Sequence, residues 1–203
     1  MLEVFIQSFV LYFVVIDPIG NTPIFMSITQ QQTEREKYQT AFEGVIIATI
    51  ILILFSVIGQ YLLSYLNVHL ESFRIAGGII LFLIAIEMLF NKRQERKEQI
   101  LDHTKDKLSI FPLAIPILAG PAATTSVIVI ATKYQGNLVF QSISLLGLSL
   151  VMIITLIFFL ILAKSDKFIN KNITNIISRV IAIILAALSI QYIIDGLLIL
   201  FKI

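Results

Sequence analysis

A helix must present about 20 predominantly apolar residues to cross a bilayer. Six stretches of this sequence meet that length within tolerance: Val4–Ile28, Gly44–Leu66, Phe73–Phe90, Ser109–Thr132, Leu138–Ala163 and Ile173–Phe201. Residues of the hydrophobic types make up 58% of the chain and charged residues 14%, against roughly 45–50% and about 25% in soluble domains. So much apolar surface cannot be buried inside one small globule, and the remainder needs lipid as its solvent. The expected fold is all-α, a polytopic membrane protein with six transmembrane helices.

The connectors are polar. Gln30 to Gln39 carries Glu34, Arg35, Glu36 and Lys37, and the longest, Asn91 to Lys107, carries six Lys and Arg residues. No linker separates domains, so the chain reads as one membrane domain. Within it, residues 1–91 and 108–203 flank a basic loop at about 91–108. Glu3 stands where a signal peptide would be basic, and the first apolar run is too long for an h-region, so a retained helix is expected.

Charge placement gives an orientation. The first, third and fifth connectors, with Arg179 near the start of the sixth run, hold twelve of the fifteen Lys and Arg residues. The termini and the other two connectors hold Arg74, Lys133 and Lys202. The basic side is expected to be cytoplasmic, with both termini outside.

The first and fourth runs resemble each other. Sliding one by 103 positions superposes Pro18 on Pro121, Thr22 on Thr125 and Thr29 on Thr132. The third and sixth match more weakly, through Arg74-Ile75-Ala76-Gly77 and Arg179-Val180-Ile181-Ala182. A repeat of three crossings inserts its second copy upside down, which predicts two inverted three-helix halves, a recurrent plan of secondary transporters.

All five prolines fall in these two runs: Pro18 and Pro23 in the first, Pro112, Pro116 and Pro121 in the fourth. A proline inside a helix removes a hydrogen bond and clashes with the preceding turn. At membrane depth such backbone is tolerated only inside protein or beside a watery cavity. Both spans are therefore expected to break. Asp17-Pro18 reads as an N-cap followed by a first helical proline, and Gly120-Pro121 as the same junction without the carboxylate. A half-helix starting there would point free N–H groups and a positive dipole end inward, which suits an anionic group. Gly20, Asn21, Thr22, Thr124, Thr125 and Ser126 would supply further contacts. Asp17 has two compatible readings: a ligand for a substrate ammonium or carrier of a coupling proton or cation, or a structural cap.

Elsewhere the polar residues have plainer readings. Glu43 and Glu87 lie near span ends and are expected to be interfacial and solvated. Arg74 and Arg179, at helix starts, are secondary candidates whose default is anchoring. Gly77-Gly78 marks close helix packing. His69 and His103 sit in connectors, and Asp195 near the end of the last span. The chain has no Cys, so thiolate metal sites and cysteine nucleophiles are excluded. No metal motif, cofactor motif or paired-carboxylate site stands out, and no clustered basic face suggests nucleic acid.

These motifs resemble the MarC family of bacterial inner-membrane proteins over nearly the whole chain. The resemblance rests on Asp17-Pro18-Ile19-Gly20-Asn21-Thr22-Pro23, Phe73-Arg74-Ile75-Ala76-Gly77-Gly78-Ile79, Phe111-Pro112-Leu113-Ala114-Ile115-Pro116, Ala119-Gly120-Pro121 and Gln191-Tyr192-Ile193-Ile194-Asp195-Gly196. It implies distant similarity to amino-acid exporters of the LysE type. It also implies a transport role, since some members are regarded as carriers of small neutral amino acids. A second glycine commonly follows the Gly-Pro in that family, where this chain has Ala122-Ala123.

The expected function is thus a secondary transporter of small solutes, with the lipid bilayer, a small amino acid and a coupling proton or cation as partners, and no cofactor. A channel, or an accessory membrane protein docking through the basic loop, is the alternative. An enzyme is not expected.

Overall fold

A computed structural model describes residues 1–90, 109–164 and 171–201. The long basic loop and His103 lie outside the described residues. Every regular element among those residues is helical: α1 (Leu2–Ile16), α2 (Thr22–Ile28), α3 (Glu34–Tyr65), α4 (Leu70–Leu89), a π-helix (Ser109–Leu118), α5 (Pro121–Lys133), α6 (Leu138–Lys164) and α7 (Lys171–Phe201).

Four of these helices are long and apolar enough to cross a membrane, within α3, α4, α6 and α7. The first and fourth apolar runs are each split in two. At about 1.5 Å per residue, α1 is about 22 Å long, short of the roughly 30 Å hydrocarbon core.

The helix α3 begins ten residues before its apolar run. A capping box sets that start: Thr33 Oγ1 accepts from Glu36 N–H at 3.4 Å, and the Glu36 carboxylate accepts from Thr33 N–H at 2.8 Å. Two orphan donors of the first turn are thereby satisfied. Hydropathy marks the apolar slab, whereas the cap marks the helix.

The centre of the bundle is α5. From Ser126 to Thr132 every residue is buried, as befits a helix apolar on all sides. It packs against α1, α3, α4 and α6. Around it, α1 lies along α6, α3 lies against both α6 and the π-helix, and α4 pairs with α7 along most of its length. Small residues permit that last approach: a Cβ on Gly78 would stand 2.8 Å from Ser189 O, and one on Gly196 2.7 Å from Ile75 Cγ1. Gly77 likewise faces Thr125 and Val129 of α5, so the glycine pair serves packing, as expected.

Aromatic and polar contacts fix α6. Phe25 of α2 stacks on Phe159 with centroids 4.5 Å apart, and the Tyr12 hydroxyl meets Ser144 Oγ at 2.9 Å in the buried core. The outward faces of α3, α4, α6 and α7 are covered with exposed Ile, Leu, Val and Phe. Apolar surface this continuous marks a lipid-facing wall.

Candidate functional site

The two breaks are built differently. In the first, α1 ends at Asp17, whose backbone is left-handed at φ 55° and ψ 65°. Pro18 disfavours the right-handed helical region for the residue before it, and Asp is one of the few side chains that visit the left-handed region routinely. The Asp17 N–H still closes onto Phe13 O at 2.9 Å. Its carboxylate accepts from Gly20 N–H at 3.0 Å, and a Cβ on Gly20 would collide with that carboxylate. Asn21 then donates from Nδ2 to Ile16 O at 2.6 Å, satisfying a carbonyl left open at the end of α1. Only at Thr22 does α2 begin, with Asn21 as its N-cap and Pro23 in its first turn.

This corrects the expected N-cap placement of Asp17. It is the C-cap of the first half-helix, and the second starts one turn beyond the proposed junction. One of its carboxylate oxygens closes the tight Asp17–Asn21 turn. Thr22 likewise turns inward, bonding Ile19 O at 2.6 Å.

The second break follows the expectation. Gly120 is the N-cap of α5, extended at φ −79° and ψ 177°, and Pro121 is the first helical residue. Before it, the chain winds as a π-helix, whose last bond runs from Ala119 N–H to Ala114 O at 2.9 Å, and Ile115–Pro116 is a cis peptide. Within α5 the first N–H to find a helical acceptor is that of Thr124, on Gly120 O at 3.0 Å. Pro121 has no N–H, so Ala122 and Ala123 carry the open donors of this terminus.

These two alanines line a cavity of about 240 Å³, together with Gly120, Pro116 and Pro121. The facing wall is α4: Ile80, Leu83, Ile84 and Glu87, spaced as one helical stripe,. Val15 at the end of α1 closes the back. Ile80, Leu83 and Pro121 remain exposed on the rim, so the cavity opens sideways between α4 and the π-helix.

Among the described residues Glu87 is the single charged side chain of that lining. It is half-buried, with Oε2 fully enclosed. Near the end of its helix at Leu89, Glu87 continues the stripe of Ile80, Leu83 and Ile84 along the cavity wall. Glu43 is also more engaged than expected: Ser109 Oγ donates to it at 2.9 Å, tying α3 to the start of the π-helix.

Of the residues expected at the site, Gly120, Pro116 and Pro121 reach the cavity. Asp17, Pro18, Gly20, Asn21, Thr22 and Pro23 form the separate turn. The hydroxyls of the fourth run bond to their own helix: Thr124 Oγ1 donates to Gly120 O and Pro121 O at 3.1 and 3.0 Å, and Ser126 Oγ to Ala123 O at 2.9 Å. The methyl of Thr125 packs on Gly77. Arg74 is half-buried near the start of α4, thirteen residues or about 20 Å from Glu87,. Arg179 is exposed in α7, well inside that helix. Among the described residues no cluster of His, Cys, Asp and Glu could hold a metal ion.

Long apolar helices, lipid-facing side chains and helices broken at proline define a polytopic α-helical membrane protein. The sequence matches the MarC family integral membrane proteins over residues 2–201, and the chain belongs to that family. It is 33% identical to a UPF0056 membrane protein of Archaeoglobus fulgidus over 201 residues, 97% of this chain and 93% of that protein. A UPF0056 membrane protein of Methanocaldococcus jannaschii is 32% identical over 204 residues, covering 97% and 88%. The UPF0056 membrane protein YvbG of Bacillus subtilis is 31% identical over 204 residues, covering 97% and 95%. No solved structure matches significantly.

Proposed function

We propose that this chain is a secondary transporter of small solutes, with net-neutral amino acids as the fitting substrates. One observation carries the reading: a carboxylate and an open helix N-terminus meet in one cavity beside a broken helix. Glu87 suits a substrate ammonium, since an opposite charge stabilises a partly buried ion. The Ala122 and Ala123 N–H groups and the positive end of α5 suit its carboxylate. The apolar stripe of α4 suits a short aliphatic side chain. At about 30 Å³ per water, the cavity has room for about eight waters, the scale of a small amino acid.

The same reading gives six crossings in two inverted halves, placed in the cell membrane with both termini outside. The Lys and Arg bias supports that orientation. The packing supports the repeat: α1 lies on α6 as the π-helix lies on α3, α2 meets α6 as α5 meets α3, and α4 pairs with its counterpart α7. Transport is favoured over intramembrane catalysis, because among the described residues no hydroxyl, thiol or imidazole lines the cavity beside the Glu87 carboxylate.

The test is flux in proteoliposomes, with alanine, serine, glycine, lysine and glutamate as labelled solutes. The reading expects exchange of the small neutral ones. No flux of any solute by folded protein would overturn it.

A further inference from the structure

A second cavity, of about 640 Å³, lies where the ends of α3 and α5 meet the start of α6. Ala131 lines it and Ala123 lines the first cavity, so the two stand about 12 Å apart along α5. Its size falls within the range of small-molecule sites. Its walls carry Ser56, Tyr61 and Ser64 from α3, Gln135 from the connector, and Gln141 and Ser144 from α6. Ser144 is buried, and Tyr12 of α1 holds it from behind.

Every polar side chain of this lining is an uncharged hydroxyl or amide, able to donate and accept hydrogen bonds. Lys133, the nearest cation in sequence, lies on another side of α5 and donates to Gln7 Oε1 at 3.1 Å. At the closed end, between the buried Ser56 and Ser144, a net charge would lose hydration with no opposite charge among the described residues to meet it, whereas a neutral polyol or amide would exchange its water partners for these groups. We infer that this cavity is a binding site for an uncharged, hydrogen-bonding small solute, distinct from the Glu87 cavity and independent of the transport reading.

The chain contains no Cys, so a single introduced thiol reports its own surroundings. Ser56→Cys in nanodiscs, where both faces meet water, is labelled with a small maleimide. Sorbitol or malonamide is added as the neutral probe, and malonate as the charged counterpart of malonamide. Bound solute slows labelling by 1 + [L]/Kd, which is about tenfold at ten times Kd. The expected result is protection by sorbitol and malonamide, none by malonate, and no effect of either on Ser72→Cys, an exposed position on α4 away from the cavity. Should Ser56→Cys fail to fold, Ser64→Cys reads the same cavity from its rim. Absence of protection by both neutral probes, or equal protection by malonate, overturns the inference. So does a thiol in folded protein that the maleimide never reaches.

Discussion

Replacing Gly120 by alanine separates two ways in which a glycine can be required. Its backbone, at φ −79° and ψ 177°, is ordinary extended conformation that any residue adopts. Conformation therefore contributes nothing to the cost. The obstacle is steric: a Cβ at this position would collide with the carbonyl oxygen of Pro116. That atom is backbone, held in the π-helix, and cannot rotate aside as a flexible side chain would. Overpacking of this kind costs about 1–3 kcal/mol. Gly136 is the opposite case. Its φ is 81° and nothing lies within 4 Å of its missing Cβ, so Gly136→Ala pays only for left-handed backbone, about 1–2 kcal/mol. Asparagine tolerates that backbone, whereas it brings the same Cβ to position 120. Denaturant unfolding in detergent should show Gly136→Asn milder than Gly136→Ala, and Gly120→Asn no milder than Gly120→Ala. Wild-type stability for Gly120→Ala, or equal rescue by asparagine at both positions, refutes the reasoning.

Other substitutions test the packing. Tyr12→Phe leaves the buried Ser144 hydroxyl without its 2.9 Å partner; a loss of about 1–3 kcal/mol is expected, and adding Ser144→Ala should cost less than the two single effects summed, as a double-mutant cycle reads. Phe25→Ala removes the ring stacked on Phe159 from a fully buried site and should destabilise by about 3–5 kcal/mol in the same unfolding assay. Gln7→Ala releases Lys133 and Tyr134, which both donate to its oxygen at 3.1 and 3.2 Å; because Gln7 is exposed, unfolding should shift by no more than about 0.5 kcal/mol.

The membrane-spanning class was legible because hydropathy over a bilayer's width is a physical requirement. The breaks were legible because proline removes a donor wherever it sits. Cap register was harder. Asp17-Pro18 fits an N-cap pair by residue type, but the same proline also bars Asp17 from continuing α1 smoothly, and the chain resolves this as a left-handed C-cap plus one extra turn. Local sequence favours both outcomes, and the neighbouring Gly20 and Asn21 bonds decide. The distance of Glu87 from a span end says nothing of which face it takes. Its spacing from Ile80, Leu83 and Ile84 put it on one face with them, and that periodicity was present in the sequence. Which face of α4 meets the second break depends on the α4–α7 pairing, a long-range contact that no single segment encodes. The threonines and serine of the fourth run looked like ligands because hydroxyls near a break are polar. In a helix they can bond the carbonyl three or four residues back, and here Thr124 and Ser126 do.

The central claim is that the Glu87 carboxylate meets the solute while Asp17 shapes a turn. The most direct measurement is alanine flux in proteoliposomes for Glu87→Gln and Asp17→Asn, with pH gradients imposed in both directions. The account predicts that Glu87→Gln abolishes flux while the protein stays folded. It predicts that Asp17→Asn, which keeps an oxygen for Gly20 N–H, retains flux with unchanged response to the pH gradient. Full transport by Glu87→Gln, or a pH response lost only in Asp17→Asn, would contradict it.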